Sequence, residues 1–225
     1  PADTNTGPDR RQAVITSIAQ RVAMTQFSEM ATRTDAMAHQ ASQFCQDPTD
    51  EGLDAVRQAW WVARSPLKIT ELIKFGPFVE YPLRLGPKLD DQRVNERRIE
   101  ELVADDSGLE QSDFDVMGTA TRGFPVVEYL LWAKGQESLN SLTSVPRRCL
   151  VMAGAARDVN TSANRLLNAW ETDWLLRLTQ PRSGDGDEYN IVQHVIDEWI
   201  NRMAFTVENI RITKLGKPLG DAFRW

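Results

Sequence analysis

One carboxylate stands out in this sequence because apolar residues surround it. The segment TRGFPVVEYLLW, residues 121–132, is apolar throughout its second half except for Glu128. Phe124, Val127 and Leu131 recur at the spacing of one helical face, so Glu128 borders the buried side of a predicted helix. Burying a carboxylate is costly unless it has a partner. Glu128 is therefore a candidate for binding a ligand, the alternative being a surface residue of an amphipathic helix.

Arg122 lies directly before this segment and is a candidate partner for Glu128 or for an anionic ligand. The alternative is an exposed surface arginine. If the segment is purely structural, Gly123 and Glu128 would brace the junction between loop and helix. The carboxylate would then accept backbone N–H bonds or pair with Arg122.

The two histidines, His39 and His194, lie on separate predicted helices. His194 would bind a metal ion together with Glu128 if the fold brings the two side chains together, although a lone histidine is more often structural or exposed. The sequence contains no HExxH, P-loop or GxGxxG motif. No nucleophile motif surrounds any serine or cysteine.

Helical patterns dominate the elements that must position these residues. Strand signals are scarce, and long segments are rich in Ala, Leu, Glu, Gln and Arg, which predicts an all-α fold of long antiparallel helices in an up-and-down bundle. The predicted helices, in chain order, cover residues 9–46, 50–75, 90–104, 112–117, 124–132, 145–172 and 188–214. Residues 78–89 and 133–143 are predicted to be loops, and residues 181–187 a flexible turn.

These elements predict one helical domain over residues 9–220, between a flexible leader at 1–8 and a tail at 221–225. The chain begins with PADTNTGPD and has no initiator methionine, which is typical of a mature chain whose leader has been removed or of an expressed fragment.

Composition excludes several classes of protein. Hydrophobic residues make up 41% of the 225 residues, which is enough for a sizeable core. The net charge is -6 without a basic stripe, which argues against nucleic acid as a partner. No run of about 18 apolar residues predicts a transmembrane segment. Cys45 and Cys149 form no metal-binding pattern, so we favour two buried thiols, the alternative being a disulfide in an exported protein.

The central segment also resembles a known family. GFPVVEYLLW resembles the signature of imelysin-like proteins, in which Gly-x-His-x-x-Glu is followed by an aromatic residue, two leucines and often tryptophan. Gly123, Glu128 and Trp132 match this signature. Pro125 stands where the family has histidine, and proline offers no ligand atom. The resemblance therefore implies a degenerate site at which metal binding and peptidase activity are in doubt.

Two further segments carry the resemblance. Thr70-Glu71 and Phe75-Gly76-Pro77 are similar to elements that precede the central motif in the family, and the segment KLGKPLG, residues 214–220, is similar to one after which family members continue into further helices. The resemblance thus covers nearly the whole chain but less than the usual family length. Together with the central segment it gives the candidate ligand-binding residues Glu71, Phe75, Gly76, Arg122, Gly123 and Glu128.

Imelysin-like proteins are exported to the bacterial envelope and are often linked to iron uptake. The resemblance implies a periplasmic or outer-membrane-associated binding protein that is accessory to iron or haem uptake, with a lipid anchor in its precursor. Its expected partners are a small ligand or a metal ion, iron or another divalent ion, and an envelope protein. The alternatives are a metallopeptidase of the imelysin type, with Glu128 as general base, and a helical scaffold whose motif is structural.

Overall fold

The computed structural model describes residues 7–91, 93–105, 107–132, 139–180 and 192–220. Every regular element within these ranges is helical, which confirms the predicted all-α class. In the same ranges, no helix combines the length and the hydrophobicity that crossing a membrane requires.

The α-helices of the described ranges follow one another along the chain and are numbered in that order. They are α1 Gly7–Ile18, α2 Met24–Gln46, α3 Asp50–Ile69, α4 Leu85–Leu89, α5 Glu96–Ala104, α6 Gln111–Val116, α7 Phe124–Trp132, α8 Leu139–Thr143, α9 Pro146–Ala169, α10 Leu175–Thr179, α11 Val192–Asn209 and α12 Lys217–Gly220. The π-helical turns Ala19–Ala23, Trp170–Trp174 and Ile210–Gly216 join α1 to α2, α9 to α10 and α11 to α12. Short 3₁₀ helices span Thr70–Ile73, Gly76–Phe78 and Thr119–Thr121.

Several predicted boundaries are wrong. The third predicted helix begins at Glu96 rather than at Asp90, because the side chain of Asn95 caps it by accepting the backbone N–H of Arg98 at 3.1 Å. The predicted loop at 78–89 contains α4, and the end of the predicted loop at 133–143 forms α8. The last helical segment does not end at residue 214 as predicted, because the π-turn Ile210–Gly216 carries the chain on into α12.

Other predictions fall partly or wholly on residues outside the described ranges. The leader predicted at 1–8 is shorter than expected, since α1 already begins at Gly7, and residues 1–6 lie outside the described part. The predicted turn at 181–187, the start of the last helix at 188 and the tail at 221–225 also lie outside it.

The chain forms two compact units, and the single domain predicted over residues 9–220 stays a prediction. The first unit comprises Pro1–Thr25, Ile69–Lys74 and Trp170–Trp225. The second unit comprises Gln26–Lys68 and Phe75–Ala169.

In the first unit, α1 packs against α10 and α11. Large apolar side chains, three of them tryptophans, fill the core of this unit. The buried apolar residues include Ile15, Ala19, Ala23, Trp170, Trp174, Leu178, Val195 and Trp199. The side-chain amide of Gln12 donates to the carbonyl oxygen of Thr179 at 2.6 Å and so ties α1 to the end of α10. Burial of large apolar side chains is the main source of stability in such a unit.

In the second unit, α9 is central and packs against α4, α5, α6, α7 and α8. A Cβ atom at Gly154 would lie 2.6 Å from the ring of Phe114, so glycine is what allows α6 to approach α9 this closely. Large side chains fill the rest of the core, including Phe27, Met30, Met37, Trp60, Leu67, Phe124 and Leu131.

A disulfide joins Cys45 near the end of α2 to Cys149 in the first turn of α9. The interpretation of the two cysteines as separate buried thiols is therefore wrong. The sequence could not show the pairing, because the partners are 104 residues apart and meet only where α2 and α9 come together. The cross-link closes a long loop of the second unit, which restricts the unfolded chain.

Removing the disulfide should destabilise the protein by about 2–5 kcal/mol, because the unfolded chain regains the freedom of a long open loop. The double variant Cys45→Ala with Cys149→Ala should therefore unfold at lower urea concentration than the oxidised protein. Wild-type protein kept in reductant is the matched comparison. Two alkylatable thiols in the native, unreduced protein would contradict the pairing.

Candidate functional site

Gly123 allows α7 to begin directly against the end of α4. Its φ of +85° lies in the left-handed region, which residues other than glycine rarely adopt. A Cβ atom there would lie 2.6 Å from the carbonyl oxygens of both Lys88 and Leu89. Glycine at this position thus has a structural reason, separate from the ligand-binding role that the sequence predicted for it.

The start of α7 is also held by α3. The indole Nε1 of Trp60 donates to the carbonyl oxygen of Phe124 at 3.0 Å. The apolar face of α7 is buried, whereas Glu128 keeps 46% of its side chain exposed. The predicted position of Glu128 at the border of the buried face agrees with this arrangement.

Asp90, the residue that follows α4, provides a buried carboxylate that was not among the predicted site residues. Its side chain is only 9% exposed and accepts from two cations of α3: Oδ1 from Arg64 Nη2 at 3.0 Å and Oδ2 from Lys68 Nζ at 2.5 Å. Lys68 and Arg64 are four residues apart and therefore share one face of α3. The missed signal was Asn95, which is as good a helix cap as Asp90 by residue type and caps α5 in the structure, so that Asp90 lies outside the helix.

Arg64 connects the two carboxylates of the site. Its Nη1 lies 3.4 Å from Glu128 Oε2, while Nη2 binds Asp90, and the guanidinium carbon lies 4.9 Å from the ring centroid of Trp60. The planar guanidinium can hydrogen-bond two carboxylates at once while stacking on an aromatic ring. Arg64 is thus the central cation of the site, although nothing in its sequence surroundings marks it.

These residues line an open cavity of about 410 Å³ in the second unit. Its lining combines two cations, three carboxylates and a smaller apolar part, and consists of Arg64, Lys68, Asp90, Val94, Glu96, Pro125, Glu128 and Tyr129. Asp90 is held by Arg64 and Lys68, so the charged groups with exposed surface at the cavity are Glu96, Glu128 at 46% exposure and Lys68 at 40%.

Two pKa values reflect this arrangement. Burial alone would raise the pKa of Asp90, but the hydrogen bonds and positive charges of Lys68 and Arg64 outweigh burial and lower the pKa below its usual 3.8. Burial raises the pKa of Tyr129 to about 12, with a further contribution from Glu100, whose Oε1 accepts the phenol proton at 2.8 Å. Tyr129 therefore remains a protonated hydrogen-bond donor near neutral pH.

Arg122 is buried in the second unit and pairs with Asp158 of α9. Its side chain is 1% exposed, with Nε 3.0 Å from Asp158 Oδ2 and Nη2 bound to the other carboxylate oxygen. The predicted alternatives of a Glu128 partner and of an exposed surface arginine are both wrong. Because this bidentate pair joins the residue before Gly123 to α9, it anchors the start of the motif.

The model of the imelysin family, peptidase family M75, matches residues 23–224. This chain belongs to the imelysin family. Two solved structures share its fold: a candidate iron-regulated protein A precursor from Parabacteroides distasonis (19% identity, TM-score 0.80) and an imelysin-like protein from Psychrobacter arcticum (17% identity, TM-score 0.77). The alignments cover 97% and 96% of this chain but only 64% and 65% of those chains, so it spans less than two thirds of their length. No curated protein matches the sequence.

The other candidate residues of this imelysin chain lie in two different units. Glu71 belongs to the first unit, where its carboxylate pairs with Lys214 at 2.6 Å and with Lys74 at 3.9 Å. Phe75 is buried in the second unit, and Gly76, with φ of +58°, donates its N–H to Glu80 Oε1 at 3.0 Å. The contacts of Glu71, Phe75 and Gly76 therefore stabilise the local structure around each residue.

The donors at the imelysin motif do not form a metal cage. Pro125 supplies no ligand atom, Asp90 is bound by two cations, and Glu128 faces Arg64. Among the described residues, no group of three or more His, Cys, Asp or Glu side chains is arranged to hold a metal ion. His194 is exposed on α11 in the first unit, and its predicted pairing with Glu128 around a metal stays a prediction.

Replacing Gly123 by alanine should destabilise the protein by at least about 1–2 kcal/mol, because the new side chain would force the backbone out of the left-handed region or push α4 away. Gly118→Ala is the matched control, since Gly118 has φ of -65° and a Cβ atom added there would meet no other atom within 4 Å. Urea unfolding of both variants measures the difference. Equal stability of the two variants would contradict the close contact with α4.

Asp90→Asn should weaken the dependence of stability on acid pH. The pKa of Asp90 is lower in the folded protein than in the unfolded chain, so its contribution to the free energy of unfolding is present above the unfolded pKa and is lost as pH falls through the folded pKa. Between roughly pH 5 and pH 3 the variant should lose less stability than wild type. Asp54→Asn, at an exposed carboxylate of α3, should follow the wild-type curve.

Proposed function

We propose that this imelysin-family chain is an exported binding protein of the bacterial envelope that is accessory to the uptake of iron or haem, and that it does not hydrolyse peptides. The observation that carries the proposal is the charged cavity beside Glu128. Its carboxylates are arranged around cations rather than around a position for a metal ion. This arrangement favours recognition of a whole ligand over activation of a water molecule.

The size and lining of the cavity support a small polar ligand. About 410 Å³ is near the lower end of the ~300–1,000 Å³ typical of ligand pockets. Glu128 and Glu96 can accept hydrogen bonds from a ligand, Lys68 and Arg64 can donate them, and Pro125 offers an apolar wall. A cavity of this volume fits iron bound in a compact chelate better than it fits the larger haem group.

The metallopeptidase alternative has less support from the same residues. Hydrolysis at neutral pH needs an activated water and a base placed beside it. Glu128 is the one motif carboxylate available as a base, and the neighbouring position that would supply a metal-binding nitrogen is Pro125. A ligand set for the metal would have to come from residues other than those around the cavity.

Export and the link to iron rest on separate observations. A disulfide such as Cys45–Cys149 forms and persists in oxidising compartments, which supports a location outside the cytoplasm. The iron link comes from the name of the Parabacteroides distasonis protein, whose fold this chain shares. The periplasmic or outer-membrane location, the lipid anchor of the precursor and an envelope protein partner are part of the proposal.

A scaffold whose motif is structural is the second candidate, and the bridge formed by Arg64 favours it. Arg64 joins Asp90 at the end of α4 to Glu128 on α7, so the charged groups also connect three elements of the second unit. If bracing is their whole role, Glu128 contributes to stability and to nothing else.

Glu128→Gln separates these candidates. Both proteins are titrated by calorimetry with ferric ion, ferric citrate and haem. The binding role is supported if wild type binds a probe, the variant does not, and the two proteins have the same free energy of unfolding. Glu51→Gln, an exposed change in the first turn of α3, should bind as wild type does.

The scaffold candidate gives the opposite pattern. It predicts that Glu128→Gln binds all three probes as wild type does but loses about 0.2–1 kcal/mol of stability, the usual contribution of an ion pair that is partly exposed to solvent. Wild-type protein that binds none of the three probes would overturn the proposed link to iron and haem.

A further inference from the structure

The charged cavity at the motif has two walls of different character. One wall is α3, whose Arg64 and Lys68 are both bound to the buried carboxylate of Asp90. The other wall is formed by α7 and the start of α5. Its polar side chains are those of Glu96, Glu128 and Tyr129. Because the cations of the first wall are already paired, the second wall determines what further charge suits a ligand.

Tyr129 offers a ligand an acceptor rather than a donor. Its hydroxyl group donates to Glu100 Oε1 at 2.8 Å, and the other oxygen of Glu100 is bound by Arg148, whose side chain is only 7% exposed. Glu100 is therefore held through both of its oxygens. The remaining hydrogen-bonding capacity of Tyr129 is the lone pairs of its hydroxyl oxygen. Among the described side chains of the second wall, all three polar groups are thus acceptors.

These acceptors lie close to one another. Glu128 and Tyr129 are neighbours on α7. The negative charge of Glu96 adds to the effects of burial and of Glu100 in raising the pKa of Tyr129, so Glu96 lies near the Tyr129 hydroxyl. A cationic group placed between α5 and α7 is therefore attracted by both carboxylates.

The lining as a whole carries an uncompensated negative charge. It contains the three carboxylates Asp90, Glu96 and Glu128 against the two cations Arg64 and Lys68. Asp90 is bound by both cations, and Glu128 shares Arg64 at 3.4 Å. Glu96 is exposed, and no residue in the described part of the chain forms an ion pair with it. The charge that complements this cavity is thus positive, and Glu96 is the group left to bind it.

We propose that the ligand of this cavity carries a protonated primary amine, which Glu96 binds together with Glu128 and the hydroxyl oxygen of Tyr129. An ammonium group has three N–H donors and no acceptor, which matches three acceptors on one wall. A bare metal ion fits less well, because no three His, Cys, Asp or Glu side chains of the described ranges are arranged to hold one. The inference rests on the binding role proposed above and names the chemistry by which Glu96 selects the ligand.

Ferrioxamine B and its N-acetyl derivative test the inference. Both hold ferric iron in the same hydroxamate centre, but only ferrioxamine B ends in a charged primary amine, on a flexible arm that can enter an open cavity. In calorimetric titrations, wild type should bind ferrioxamine B at least roughly threefold more tightly than the acetylated compound, because acetylation removes the charge and most of the donors. Glu96→Gln should bind the two compounds equally.

Glu51→Gln is the matched control. Glu51 and Glu96 are both exposed acidic residues in the first turn of a helix, so the two substitutions change the interaction with the helix dipole in the same way. Glu51 does not belong to the lining of the cavity. Glu51→Gln should therefore keep the preference for ferrioxamine B, and both variants should unfold at similar urea concentrations.

The outcomes separate this inference from the proposed function. Wild type that binds the two compounds equally would still bind an iron chelate, so the proposed function would stand and the amine inference would be overturned. A preference that persists in Glu96→Gln would overturn the assignment to Glu96. Wild type that binds neither compound would also overturn the inference, whereas the proposed function fails only if ferric ion, ferric citrate and haem do not bind either.

Discussion

The close contact between Gly123 and the last carbonyl groups of α4 is the constraint on which the candidate site depends. Because no side chain fits between them, α4 ends against the start of α7, and Asp90 follows at once. That placement brings the Asp90 carboxylate to the face of α3 that carries Arg64 and Lys68. The motif glycine thus acts through backbone geometry, and Arg122 holds it to α9 by pairing with Asp158.

The charges of the site follow from this geometry. Asp90 could not remain ionised at 9% exposure without compensation, and the two cations of α3 supply it. Arg64 then serves Asp90 and Glu128 together, which orients the more exposed carboxylate of the motif. The buried carboxylate of Asp90 and the more exposed carboxylate of Glu128 are therefore linked through a single guanidinium. For that reason binding and stability must be measured side by side in any variant of Glu128.

The helices and the position of Glu128 could be predicted because both follow from local periodicity. Apolar spacing indicated the helical run from α1 to α2, and it also indicated α3, which contains a proline, and α7. All of them lie close to their predicted positions. The failures concern long-range contacts. Arg122 and Asp158 are 36 residues apart, and Cys45 and Cys149 are 104 residues apart, so neither pairing leaves a local pattern. Asp90 was missed for a different reason, since two adjacent aspartates resemble a helix start and Asn95 was overlooked as the cap.

The disulfide has a topological consequence for the site. Every residue that lines the charged cavity lies between Cys45 and Cys149, so the cavity is built entirely from a closed covalent ring. A single cut of the backbone anywhere in that ring leaves the two fragments joined, and the ends of α3 and α7 stay tethered to each other through sulfur. In an environment rich in proteases, a nicked molecule would retain all the groups of its cavity in one covalent assembly.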